Sequence, residues 1–242
     1  MGHLLLGFAL GLVVQAQDDP KGPAADLAAA LQATAKRGAF AFTGTLKTEV
    51  DPDDADDEAT SCSVSGAVAP GERTVAHIKG ENSVHDLLLK RRRLAGRETW
   101  KGHPLDLMNA PSELMSLLDL ERLAMSVKDA ASVKALPEEK IGTEDCRVYE
   151  LGLSKGAIRS YHDEAEAVEE EEKSLQGVTL TLKVQKSDGL VVTLDASVLR
   201  LYKDDKAAAG GTKGLSVFQL RLKDFGTAKV PTLPGLEALL KD

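Results

Sequence analysis

The sequence predicts one α+β domain in which antiparallel strands dominate. Apolar residues recur with a period of two at Phe40, Phe42, Leu46 and Val50, and again at Val178, Leu180, Leu182 and Val184. Gly, Pro, Asn and Asp turn residues punctuate most of the chain between such runs, and helical spacing occurs only in short stretches. With 242 residues, 43% of them apolar, the chain can close one sizeable core.

The chain starts with an apolar run, Leu4 to Val14, inside a segment from Met1 to Ala16 that holds no Asp, Glu, Lys or Arg. Such a run is shorter than the ~20 residues a bilayer span needs. Val14-Gln15-Ala16 supplies small residues before a cleavage point, so residues 1–16 read as a signal peptide and 17–242 as the domain. No Lys or Arg precedes the run, and the amino terminus would have to supply the positive end. The mature chain is then expected in the periplasm or outside the cell, with no transmembrane segment.

After the leader, Leu27, Leu31 and Ala35 are spaced as on a short helix over 26–36, stopped by Gly38. A half-buried strand follows from Ala39. The acidic stretch Asp51 to Glu58 then joins it to a second strand through Cys62, Val64 and Val68. Pro70-Gly71 and Gly80 to Ser83 punctuate further strands over 73–79, 84–90 and 94–101, which makes a meander of about five. Residues 109–130 take helical spacing through Leu114, Leu117, Leu118 and Met125. A short extended piece near Val133, a turn at Pro137-Glu138-Glu139 and a strand over 144–153 come next. Ile158, Tyr161, Ala165 and Val168 give 155–173 a helical stripe. A hairpin turning at Ser187-Asp188-Gly189 joins strands over 178–185 and 190–202, and a linker, Asp204 to Gly214, leads to a last strand with Phe218, Leu220 and Leu222 on one face. Pro231 and Pro234 precede a short tail helix carrying Leu236, Leu239 and Leu240.

Charge and composition remove some functions. The net charge of −8 opposes phosphate-backbone binding, and 4% aromatic residues leave few rings for base stacking, so no nucleic acid is expected as partner. The two cysteines, Cys62 and Cys146, are an even count in an exported chain, which favours a disulfide over two separate buried thiols. On the chain-entropy account such a bridge contributes roughly 4 kcal/mol.

Chemical motifs are scarce. A calcium loop starting at Asp51 would require a ligand at 55, Gly at 56 and Glu at 62, where the chain has Ala55, Asp56 and Cys62, so the acidic run reads as a solvated loop. Lys90-Arg91-Arg92-Arg93 is the basic cluster, either a solvated turn or a contact for an anionic head group or an acidic partner. The run from Asp163 to Glu172 reads as an exposed helix face. No HExxH, GxSxG, Walker A or dinucleotide fingerprint occurs, and Gly210 to Gly214 lacks the strand and helix of a phosphate loop. His77 and His85 flank a turn and could approach one another, but two neighbours do not make a zinc site; His162-Asp163 is a sequence neighbour pair only. The expectation is no metal, no cofactor and no catalytic residue.

The helix that runs into Phe40-Ala41-Phe42-Thr43-Gly44-Thr45-Leu46, the meander ending at Trp100, the 178–202 hairpin and the closing Phe218 to Gly226 segment with Pro231 together resemble the LolA-like half-barrel superfamily. That superfamily includes periplasmic lipoprotein carriers and mycobacterial lipid-binding lipoproteins. The resemblance implies a curved antiparallel sheet wrapped around a few helices, with an apolar cavity for acyl chains. Inward residues would be Phe40, Phe42, Leu46, Val64, Leu88, Trp100, Val148, Leu180 and Leu194, as ligand lining or as the filling of a dry core. Two readings follow: a non-enzymatic carrier or binding protein for a lipid or other amphiphile, or an envelope structural domain that meets a protein partner and has a filled core.

Overall fold

Helix α1 (Pro23–Lys36) begins with proline, has Asp26 in its first turn and Lys36 in its last, and buries Leu27, Ala30, Leu31, Thr34 and Ala35 on one face. Proline suits the first turn, and the two charges oppose the helix dipole. The chain leaves it through Gly38, whose φ of 103° favours glycine. The computed structural model describes residues 22–50, 59–100, 110–153, 158, 173–202 and 212–240. The leader 1–16, the acidic loop 51–58, the 155–172 stretch apart from Ile158, and residues 204–211 of the expected linker lie outside them, as does the side chain of Trp100.

Among the described residues ten strands follow: β1 (Phe40–Val50), β2 (Thr60–Ala69), β3 (Arg73–Lys79), β4 (Ser83–Lys90), β5 (Arg93–Trp100), β6 (Ser132–Ile141), β7 (Glu144–Leu153), β8 (Leu175–Gln185), β9 (Val191–Tyr202) and β10 (Thr212–Lys223). They form one antiparallel sheet in the order β5-β4-β3-β2-β1-β10-β9-β8-β7-β6. The sheet is curved and unclosed, the half-barrel layout expected from the strand and turn pattern. First and last strands of the chain's sheet meet in the middle, where Gly44 faces Leu220. A side chain at Gly44 would lie 1.9 Å from the Gln219 carbonyl, so this contact requires glycine.

Register sorts the side chains. Phe40, Phe42 and Leu46 of β1, Val64 of β2, Leu180 of β8, Leu194 of β9 and Phe218 of β10 share the inner face with α1, α2 (Ala110–Leu117) and α3 (Leu120–Ser126), and all are fully buried or nearly so. Asp119 separates the two short helices by capping α3, its Oδ1 accepting from the Arg122 backbone N–H at 3.1 Å. On the outer face the tail helix α4 (Pro234–Leu239) places Leu236 over Val75, Leu88 and Ala95. At the start of β9, the Val191 N–H donates at 2.9 Å to the buried Thr34 hydroxyl, which itself donates to the Ala30 carbonyl at 2.7 Å, so α1 is tied to the sheet.

Several expectations require correction. Residues 132–141 are a full edge strand, with its irregularity between Leu136 and Glu139, so the expected turn at Pro137 is a bulge, which an edge strand tolerates. Strand β10 begins at Thr212, and Gly214 pairs with both Val50 and Arg200 instead of closing a linker. Cys62 and Cys146 are free buried thiols. Cys62 belongs to the inner core, whereas Cys146 faces outward on β7. Five strand spacings, about 24 Å along the sheet, lie between β2 and β7, far beyond the ~7 Å limit between Cα atoms of a disulfide. No bridge joins them.

Candidate functional site

The two-residue turn between β4 and β5 is built from arginines. Lys90 pairs with Arg93 as the last rung of the hairpin, which leaves Arg91 and Arg92 as the central residues, with φ of 50° and 67°. Two positive φ angles in a two-residue loop match the right-handed twist of the flanking strands, and the usual occupants are Asn and Gly. Side chains with a Cβ are disfavoured there by roughly 1–2 kcal/mol each. Both arginines are exposed, and among the described residues neither has a carboxylate partner.

This turn forms one wall of a cleft of about 470 Å³ at the end of the half-barrel where β1 begins. Its floor is apolar: Ala35 of α1, Phe40 of β1, Val68 of β2, Leu89 of β4, and Leu118 and Leu120 where α2 meets α3. Met125, 61% exposed, stands at its edge. The β2–β3 turn, Pro70-Gly71, closes another wall, next to Glu72 and Arg73. Arg73 is engaged elsewhere, its guanidinium donating to the Val230 carbonyl at 3.0 Å and pairing with Glu237 at 3.4 Å. Asp119, Glu121 and Arg122 complete the helical side. The volume falls within the ~300–1,000 Å³ of small-molecule sites.

Of the nine inward candidates, Phe40 lines this cleft. Phe42, Leu46, Val64, Leu180 and Leu194 are packed into the inner core below it. Leu88 departs from the expectation by facing outward under α4, because Leu87-Leu88-Leu89 offers an apolar residue to both faces and the tail helix covers the outer one. Val148 departs likewise: it points outward on β7 and borders a smaller recess of about 280 Å³ between the start of α1 and the β6–β7 edge.

A second polar feature lies within the core. Arg200 of β9 and Glu113 of α2, only 2% and 1% exposed, pair at 2.7 Å, and Arg200 Nη1 donates to Ser174 Oγ at 3.0 Å. The pair ties α2 to the sheet. Sequence reasoning passed over it, although Arg200 continues the inward series Leu194, Ala196, Val198 and so places a charge where an apolar residue is expected.

The histidines do not meet. In the β3–β4 register His77 is opposite Asp86 and His85 opposite Ile78, so the two rings lie on opposite faces. On the outer face His77 Nδ1 is 2.7 Å from Asp86, which also accepts from Arg97 at 2.6 Å. Burial raises the Asp86 pKa, but hydrogen bonds from Arg97 and His77 outweigh it and hold the carboxyl below its ordinary value. On the inner face His85 Nε2 lies 2.7 Å from Glu98 Oε1, in ion-pair range without hydrogen-bond alignment. Neither pair borders the two clefts. Among the described residues no group of three or more His, Cys, Asp or Glu could hold a metal ion, and no helix is long and apolar enough to cross a membrane.

No protein-family model and no curated protein matches this chain. Among solved structures the chain is similar to LprF from Mycobacterium bovis, with 14% identity and a TM-score of 0.40 over 87% of this chain and 98% of that one. It is also similar to the lipoprotein LppX from Mycobacterium tuberculosis, with 12% identity and a TM-score of 0.36 over 85% and 98%. A LolA superfamily protein from Nitrosomonas europaea shares 16% identity, with a TM-score of 0.30 over 86% and 98%. Scores this low bear on neither ligand nor partner, and the half-barrel layout rests on the strand order and register above.

Proposed function

We propose that this chain is an exported binding or carrier protein for an amphiphile, whose apolar part is received by the 470 Å³ cleft. The observation that carries the reading is a cleft between the arginine turn and the α2–α3 junction in which half-buried Leu89 and exposed Met125 offer apolar surface to solvent above the buried core residues Phe40, Leu118 and Leu120. Phe40 and Leu118 are already buried, so an alkyl chain entering the cleft would exchange water for carbon contacts at Leu89 and Met125, at ~25 cal/mol per Å² buried. No catalytic role is assigned to any residue. Export rests on the apolar leader of the sequence.

A photoactivatable alkyl probe tests the seat. It should label peptides containing Leu89 and the 118–125 segment, and unlabelled amphiphile should compete. Labelling restricted to the outer face under α4, or none at all, would overturn the proposal.

The second reading, a structural or interaction domain with a filled core, draws on the closed packing of Phe42, Leu46, Val64, Leu180 and Leu194. It predicts a partner protein retained on the purified chain and no bound amphiphile.

A further inference from the structure

We infer that the cleft selects an amphiphile with an anionic head group, and that Arg91 and Arg92 are the residues that contact it. This rests on the cleft reading above. A two-residue hairpin loop with positive φ at both positions is served best by Asn-Gly, and this chain holds two residues there that are strained by their Cβ atoms. Strain retained at an exposed turn points to a use for the side chains. Folding does not explain them, because both guanidiniums are exposed and neither pairs with a carboxylate among the described residues.

Placement gives the use. Arg91 and Arg92 wall the same cleft as Leu89 and Met125, so one molecule with its chain on these two would present its polar end to the arginines. Other charges at the cleft are committed in part: Arg73 is held by Val230 and Glu237, and Asp119 caps α3. Glu72 and Glu121 are the remaining acids on the wall and favour contact through the arginine turn over contact elsewhere. Planar guanidiniums suit phosphate or carboxylate through paired, charge-assisted hydrogen bonds.

The test uses the full-length protein and single-chain amphiphiles of equal alkyl length, one with a phosphate head and one with a hydroxyl head. The alkyl phosphate should bind at least about tenfold more tightly, equivalent to ~1.4 kcal/mol. Arg91→Asn/Arg92→Gly, which suits the turn better, should abolish that preference, so that the variant binds alkyl phosphate and alkyl alcohol alike; Arg91→Lys/Arg92→Lys should retain much of it. Equal binding of both heads by the wild type, or an undiminished preference in the Asn-Gly variant, would overturn the inference and leave the amphiphile reading intact. Absence of binding by either compound would overturn both. Inorganic phosphate bound as tightly as alkyl phosphate would support the arginine contact and contradict the chain seat. Binding to vesicles of anionic lipid, with none to the monomeric amphiphiles, would contradict a single-molecule cleft.

Discussion

Replacing Arg91-Arg92 by Asn-Gly should make the protein more stable. The two arginines occupy left-handed backbone, with φ of 50° and 67°, at a cost of roughly 1–2 kcal/mol each relative to a residue free of the Cβ clash. Glycine at 92 removes that cost in full, and asparagine at 91 removes part of it. Against this, glycine gives the unfolded chain about 0.4–1 kcal/mol of additional conformational freedom. No ion pair among the described residues is lost, so the net gain is about 1–2 kcal/mol. For a domain of this size each kcal/mol moves Tm by about 2–4 °C, which gives an expected rise of roughly 2–8 °C. Urea unfolding monitored by circular dichroism should show a higher midpoint at an unchanged slope, since the surface exposed on unfolding is the same. The Lys-Lys variant keeps both the charge and the strain and should unfold with the wild type. A midpoint equal to or below wild type for Asn-Gly would refute the claim that the turn is strained, and with it the reason for assigning the arginines a function.

Four further outcomes follow from the core and the titrating groups. Arg200→Met alone should cost about 3–5 kcal/mol, because it leaves Glu113 buried without its partner, whereas Arg200→Met with Glu113→Leu should recover most of the loss in a urea double-mutant cycle. Thr34→Val should cost about 1–3 kcal/mol by stranding the Val191 N–H, read from the urea midpoint. Burial raises the Asp195 pKa, opposed by Lys183 and reinforced by Glu139; a folded pKa above the unfolded value is a penalty fully present at neutral pH, so Asp195→Asn should stabilise at pH 7, with the gain vanishing as the pH falls toward 3.8. Burial also raises both thiol pKa values, so iodoacetamide should react slowly with the native protein and modify both Cys62 and Cys146 in denaturant without reductant, as intact mass would record.

Strands whose two faces differ in polarity were legible in the sequence. Val178 to Val184 alternates with threonines and lysine, and β8 has that face inward; Gly189, at φ 74°, sits in the hairpin turn expected of Ser187-Asp188-Gly189. The order of the meander and the closing strand followed from the same alternation. Where both faces carry apolar residues the pattern loses its sign, as at Leu87-Leu88-Leu89, and only the presence of α4 on the outer face decides. Proline misled at 137 because its missing donor matters little on an edge strand with a bulge. The cysteine count carried no information on faces or on the strand order that separates β2 from β7. The site was half legible: the basic cluster stood out, but its seat on a cleft wall depends on bringing the β4–β5 turn beside the α2–α3 junction, contacts between residues some 30 positions apart that no local spacing encodes. Arg200 and Glu113 were legible in principle as charges at inward positions, and their pairing required the fold.

Native mass spectrometry of the mature protein purified from its own envelope, with organic extraction of whatever it releases, tests the central claim most directly. The account predicts one amphiphile per chain, with an acidic head group and a hydrocarbon chain. A clean apo mass, combined with no uptake of added alkyl phosphates, would contradict it and favour the filled-core interaction domain.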